Sequence, residues 1–372
     1  MKKRIGILTY HRSINYGAFL QAYALYQTVK KIFGKYALVE IIDYESKRAY
    51  EIYRNTYYDT RHELYSAFRK CLFKINRSRP YIRTDSLTDI TDYLQRHKYD
   101  LIIVGSDEVW KINGMRGFPN AYWLHDICDI HRAAYGVSSR NTETDICDNK
   151  KQYIREALRT YEYIGVRDRI TKDMIECVCN VKVNMNCDPV FLFDFKLDKK
   201  YKEKLYTKNN LDRRKKNFLV MLPDNRLVQL IKRRFGKEYN IISVYDRNSY
   251  ADLNLINIDP FEWIDVINSA DFFVTNRFHG TCFAMKCNTS FIALDTYDNQ
   301  KTSKIYDMLQ RCNMDIAYWP YQGYQSDEKR NNVLNYIEQY LDVSYDFFEK
   351  IEYLKKDSDN FFAYLNGVKY DV

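Results

Sequence analysis

At 372 residues the chain is too long for one small hydrophobic core, and two domains are the default expectation. An apolar fraction of 46% beside 29% charged residues is ordinary for a soluble globular protein. The net charge of +9 fits anionic substrates, an acidic membrane surface or mere solubility, but its clusters (Lys2-Lys3-Arg4 and Arg213-Arg214-Lys215-Lys216) are short and separate, without the continuous basic face that a nucleic-acid role requires.

The nine cysteines are scattered, and no second Cys pair or His-x-His completes a zinc set around Cys177-Val178-Cys179 or Cys282 and Cys287. Reduced thiols in a cytosolic protein are expected. The apolar run after Met1-Lys2-Lys3-Arg4 stops at Thr9-Tyr10-His11, too short for a signal peptide. No window approaches the roughly 18 to 20 apolar residues of a membrane span.

Arg4 to Leu8 predicts a first strand, followed by a polar loop to Gly17-Ala18, a helix from Phe19 to Phe33 and a second strand from Leu38 to Asp43, together a right-handed βαβ unit. The loop has one Gly and is not a dinucleotide fingerprint. Residues 44–86 are basic and Tyr-rich, which predicts a peripheral helical insertion, either solvated or in contact with a membrane-bound sugar lipid. Further strands are expected at Leu101–Val104, Arg132–Val137 and Glu162–Val166, ending in Gly105-Ser106-Asp107, Ser138-Ser139-Arg140 and Arg167-Asp168. Any one such end is explained by helix capping; their repetition on one sheet suggests a site.

The charge-rich stretch 200–216 predicts a linker between a first domain (1–199) and a second (217–327), with C-terminal helices over 328–372 packing back across the junction. In the second block, strands are predicted at 218–222, 240–244, 272–274 and 289–294, and helices at 227–235, 260–268, 299–312, 331–341 and 344–355. Two Rossmann-like α/β domains facing a central cleft are the most economical architecture. The segment from Asp271 to Gly280 then delivers Arg277, Phe278, His279 and Gly280 just after a buried strand, where open α/β sheets bind anions near a helix N-terminus. Arg277 can clamp a phosphate or carboxylate with two parallel hydrogen bonds, and His279 can exchange a proton near neutral pH. Gly280 permits close backbone approach or positive φ.

Five segments in order resemble the polysaccharide pyruvyl transferase family. They are Leu8–His11 with Asn15–Leu25, Gly105-Ser106-Asp107-Glu108-Val109-Trp110, Gly165-Val166-Arg167-Asp168, Asp188-Pro189-Val190, and Thr275-Asn276-Arg277-Phe278-His279-Gly280-Thr281. The resemblance implies a two-Rossmann fold like that of the GT-B glycosyltransferases. It also implies transfer of the enolpyruvyl unit of phosphoenolpyruvate to a sugar of a cell-surface polysaccharide or its lipid-linked precursor, as a pyruvate ketal, with no metal or nucleotide cofactor. By resemblance Arg167 and Arg277 bind phosphoenolpyruvate, with His279 beside them as general acid or phosphate stabiliser. Asp107 is the chosen base toward the sugar hydroxyl; helix N-capping is its structural alternative. Ser106 belongs to the same segment, and Asn15, Tyr16 and Gly17 place the first loop toward the acceptor. Where relatives read Asp-Ser-Phe-His-Gly or Asp-Arg-Leu-His-Gly, this chain lacks the aspartate, so no carboxylate role carries over there.

Two other readings compete. A GT-B glycosyltransferase using a nucleotide sugar needs a carboxylate late in the second domain, for which Asp295 and Asp307 are available. A non-catalytic scaffold in a polysaccharide assembly complex is opposed by the intact Arg167, Arg277 and His279.

Overall fold

Two parallel six-stranded sheets account for the apolar runs of the sequence. The computed structural model describes residues 3–125, 127, 129–140, 146–295, 303–321, 326–341, 343 and 345–368. The chain divides into one unit of Met1–Phe193 with Leu354–Val372, and another of Asp194–Tyr353. The boundary thus falls at Asp194, and the expected linker holds a helix, Tyr201–Asn209, within the second unit. That helix was hard to see because its buried side chains are few, Leu205 and Tyr206.

In the first unit, β1 (Lys3–Leu8) and β2 (Ala37–Ile41) precede a two-residue ladder of β3 (Tyr44–Glu45) with β4 (Ile82–Arg83). Then come β5 (Leu101–Val104), β6 (His131–Val137), β7 (Tyr163–Val166) and β8 (Asn184–Met185), giving the order β2-β1-β5-β6-β7-β8. These strands are continuous apolar runs because helices cover both faces of a parallel sheet; Leu101, Ile102, Ile103 and Val104 are all fully buried. Helix α1 (Tyr16–Phe33) starts three residues earlier than its apolar spacing suggests, because Asn15 caps it by accepting from Ala18 N at 3.1 Å. Lys30 and Lys31 lie in its last turn, where the helix dipole favours cations. Residues 47–58 and 62–74 are helical, as expected of the insertion. The final helix, Asp359–Val368, also belongs to this unit: Phe361 is fully buried with its ring 4.5 Å from Tyr135 and 5.3 Å from Tyr163. Ser358 Oγ lies 2.8 Å from the Tyr135 hydroxyl and accepts from Cys187 N at 3.2 Å.

In the second unit, β9 (Lys216–Met221), β10 (Tyr239–Val244), β11 (Leu253–Leu255), β12 (Phe272–Thr275), β13 (Phe291–Asp295) and β14 (Tyr318–Pro320) form the order β11-β10-β9-β12-β13-β14. Counted within the sheet, this is the 3-2-1-4-5-6 order of dinucleotide-binding folds. Helices at Pro260–Asn268, Lys304–Arg311, Asp327–Tyr340 and Phe347–Lys356 match the expected segments; residues 299–302 and Ser344 lie outside the described residues. Every described cysteine is a free thiol, and no described helix is long and apolar enough to cross a membrane.

Candidate active site

Both sheets reverse strand order at a point where ligands are expected beyond the carboxyl ends of the strands. In the first unit this point lies between β1 and β5. Strand β5 runs into Gly105, whose φ of +113° and whose absent Cβ, which would meet Tyr135 O at 2.3 Å, admit only glycine. Ser106 is fully buried and donates its hydroxyl to Gly136 O at 2.7 Å. Asp107 follows at φ +84°, a conformation that Asp tolerates better than most residues. No helix begins here, so Asp107 is not an N-cap; its backbone carbonyl accepts from Ser138 N at 2.9 Å, tying the turn to the end of β6.

Arg167, at the end of β7, closes this corner. It is 2% exposed, and its guanidinium donates to Asp188 Oδ2 at 2.7 Å, Asp107 Oδ1 at 3.0 Å and Ser106 Oγ at 3.4 Å. Burial alone would lower its pKa, but the carboxylates of Asp107 and Asp188 outweigh burial and raise it. The resemblance implies an Arg167 that clamps an anionic substrate; in the structure its guanidinium also pairs with two protein carboxylates, Asp107 and Asp188. Asp168 caps the next helix, accepting from Thr171 N at 2.9 Å.

The loop after β1 is pinned from beneath. Gln21 donates to Thr9 Oγ1 at 3.0 Å, and Thr9 donates to Ser106 O at 3.1 Å. His11, 1% exposed, has Nε2 at 2.9 Å from Asp43 Oδ1, and Arg12 donates to both oxygens of Asp43 at 2.6 and 2.8 Å. Arg77 adds a further bond to Asp43 at 2.7 Å. Burial pushes the His11 pKa down against the pull of Asp43. Burial would raise the Asp43 carboxyl, but hydrogen bonds from His11 and Arg12 prevail and lower it. Of the residues expected to face an acceptor, Asn15 is the cap of α1, Tyr16 is buried with its ring stacked 5.2 Å from Phe68, and Gly17 sits inside the first helical turn rather than at a loop hinge.

In the second unit the order reverses between β9 and β12. Strand β12 ends at Thr275, and the helix Phe278–Lys286 begins two residues after Asn276. Arg277 occupies the N-cap position and is exposed; its guanidinium carbon is 5.8 Å from the Tyr245 ring centroid. His279 is half-buried, its ring 5.3 Å from that of Phe278 and nearly perpendicular to it. Lys304 approaches the Phe278 ring to 5.3 Å. Gly280 is helical, and it is glycine for closeness: a Cβ would meet Thr275 Oγ1 at 2.5 Å. The first turn of this helix therefore presses against the end of its strand and places the helix N-terminus beside Arg277 and His279.

The model of the polysaccharide pyruvyl transferase family matches residues 15–299, well over half of the chain. This chain belongs to that family. No curated protein matches it significantly. Among solved structures, the UDP-GlcNAc 2-epimerase of Methanocaldococcus jannaschii, in complex with UDP-GlcNAc and UDP, is similar with TM-score 0.56 at 12% identity, covering 97% of this chain and 99% of that one. The Neisseria meningitidis UDP-GlcNAc 2-epimerase bound to UDP-GlcNAc gives TM-score 0.55 at 11% identity over 98% of this chain and 100% of that one. A Staphylococcus aureus MnaA structure with UDP gives TM-score 0.55 at 11% identity over 98% and 97%. At such identities the likeness establishes the fold, two Rossmann-like halves of the GT-B kind. Family membership makes the protein a transferase of polysaccharide biosynthesis.

The structure therefore brings together Ser106, Asp107 and Arg167 in the first unit, and Arg277, Phe278, His279 and Gly280 in the second. Asp188, the partner that fixes Arg167, was visible in the sequence only as part of the Asp188-Pro189-Val190 segment. Lys304 had no sequence signal, since its place depends on how the helix Lys304–Arg311 lies against Phe278. The carboxylates that a nucleotide-sugar reading would use are engaged internally: Asp295 accepts from the Ser303 hydroxyl, and Asp307 pairs with Arg311 at 3.4 Å. Among the described residues no cluster of His, Cys, Asp or Glu is fit to hold a metal ion.

Proposed function

We propose that this family member transfers the enolpyruvyl unit of phosphoenolpyruvate to two hydroxyls of a sugar, forming a pyruvate ketal and releasing phosphate. The observation that carries this reading is the trio of Arg277, His279 and the helix N-terminus at the reversal point of the second sheet. Arg277 and the helix amides offer the donors that a phosphate or carboxylate takes. In the reaction, His279 delivers a proton to the methylene carbon and positive charge develops at C2. One sugar hydroxyl attacks C2 and is assigned to give its proton to Asp107; the second displaces phosphate, which leaves with that hydroxyl's proton. The contacts that Asp107 receives from Arg167 and Glu108 N both fall on Oδ1, so Oδ2 keeps its lone pairs for a hydroxyl. Arg167 is assigned to hold that carboxylate in place.

The acceptor on this reading is a sugar of a cell-surface polysaccharide or its lipid-linked precursor. The insertion supports peripheral contact with a membrane carrying such a lipid, since Phe73 is 85% exposed beside the exposed Lys70 and Lys74. The experiment that tests the donor is thermal unfolding with phosphoenolpyruvate, on wild type and on Arg277→Ala. At about 100 times its dissociation constant the ligand should stabilise wild type by roughly 2.7 kcal/mol. Loss of that stabilisation in the variant is the expected result. Equal stabilisation of both proteins would remove Arg277 from the site, and a response only to a nucleotide sugar would overturn the donor.

A further inference from the structure

In the second unit, the turn after β10 holds its backbone in a conformation that its side chain does not favour. Tyr245 has φ +73°, and across it Val244 O accepts from Asp246 N at 2.9 Å, so Tyr245 is the centre of a γ-turn of the rare, strained hand. Left-handed backbone suits Gly, Asn and Asp, and a bulky residue there is an outlier. Lys98, Leu124 and Asn210 also take positive φ, but each directly follows a helix, where that conformation is ordinary. Tyr245 instead follows a strand, and among the described residues it is the one aromatic side chain at positive φ.

Such strain persists only where the surroundings over-determine it. Tyr245 N donates to Leu255 O at 3.2 Å, and the buried Ser243 donates its hydroxyl to Asp246 O at 2.8 Å. Further along, the buried Asn248 donates its backbone N–H to Asn254 Oδ1 at 2.6 Å and accepts from Asn254 Nδ2 at 3.0 Å. Its own Nδ2 donates to Asn225 Oδ1 at 2.6 Å, at the start of the helix Asn225–Phe235. The loop is thus fastened both to the edge strand β11 and to the helix that follows β9.

The strained turn sits beside the anion-binding arginine. Strands β10 and β12 flank β9 in parallel, so Tyr245 and Arg277, each just past its strand's carboxyl end, border the same edge of the sheet. The Arg277 guanidinium carbon lies over the Tyr245 ring, 5.8 Å from its centroid, within reach of a cation–π contact. An exposed arginine otherwise samples many rotamers, and one restrained on an aromatic face loses less freedom when it clamps an anion. Asn at position 245 would relieve the backbone and lose that ring.

We propose that Tyr245 is a positioning residue of the second unit's anion site: its ring, fixed by the strained turn, backs the Arg277 guanidinium and directs its fork at a bound phosphate or carboxylate. The proposal rests on the reading of Arg277 as the anion-binding arginine, and it holds whichever donor carries the anion.

The test is calorimetric titration of the full chain with phosphoenolpyruvate, beside thermal unfolding without ligand. Tyr245→Asn should weaken binding about three- to fivefold, the ratio that a partly exposed cation–π contact supports. Tyr245→Phe, which keeps the ring, should bind within about twofold of wild type. The thermal midpoint of Tyr245→Asn should equal or exceed that of wild type, since asparagine tolerates left-handed backbone. Affinity of Tyr245→Asn within about twofold of wild type overturns the proposal. So does a lower midpoint, which would make the ring a packing group. A Phe variant as weak as the Asn variant also overturns it, by placing the role in the hydroxyl. Failure of the donor reading shows separately, on Arg277→Ala. If that replacement abolishes binding of UDP-GlcNAc while phosphoenolpyruvate does not bind or is indifferent to it, the donor is overturned, and Tyr245 is judged by the same ratios on UDP-GlcNAc. Independence of both ligands from Arg277 overturns the positioning role together with the site.

Discussion

At the carboxyl edge of the first sheet, Arg167 is 2% exposed and lies between Asp107 and Asp188. At the corresponding edge of the second sheet, Arg277 is exposed at a helix start, and no described carboxylate pairs with it. Both residues follow a buried strand, and both fall in segments shared with the family. The difference is in their counter-charges. Arg167 has its two terminal nitrogens engaged by protein carboxylates, whereas Arg277 has none beside it among the described residues and keeps its fork for an anion. The two arginines thus differ in what already neutralises them.

The largest consequence concerns His279. If the second edge is the reactive one, His279→Ala should lower phosphoenolpyruvate-dependent phosphate release by roughly 10²- to 10⁴-fold while leaving the fold intact. Turnover near that of wild type would dismiss it as the acid. The contrast in stability comes next. Arg167→Ala leaves Asp188, whose side chain is fully buried, without its cation, at a cost of about 3 to 5 kcal/mol in chemical denaturation. Arg277→Ala should stay within about 0.5 kcal/mol of wild type in the same assay. Similar losses for the two variants would erase the distinction between the edges.

Gly280→Ala should destabilise by about 1 to 3 kcal/mol, because its Cβ would collide with Thr275 Oγ1, 2.5 Å away. Adding Thr275→Ala should recover part of that loss; no recovery would place the strain elsewhere. The smallest effect belongs to Asn15→Ala, about 1 kcal/mol for a lost cap. Its phosphoenolpyruvate affinity should equal that of wild type, and a tenfold change would return Asn15 to the binding site.

The two sheets were legible because their strands are uninterrupted apolar runs such as Leu101–Val104 and Phe272–Val274, each followed by polar residues. The edge strands Leu253–Leu255 and Tyr318–Pro320 were not, since three residues give too short a pattern to separate from a loop. Arg277, His279 and Gly280 could be placed from local sequence, as strand, turn and helix follow within ten residues. The roles of Arg167 and Arg12 could not, because their partners are distant in sequence: Asp107 is 60 residues from Arg167, and Asp43 is 31 from Arg12.

The last helix completes the first unit, and this has a bearing on synthesis. Tyr135, Tyr163 and Cys187 are buried against Ser358 and Phe361, which emerge from the ribosome only after the entire second unit has been made. Domains usually fold as they are synthesised, N-terminal first. Here the amino-terminal unit must wait with an apolar face unsealed while its successor folds. Deleting the final fifteen or so residues, Ser358 and Phe361 among them, would strike the half of the protein that was made first.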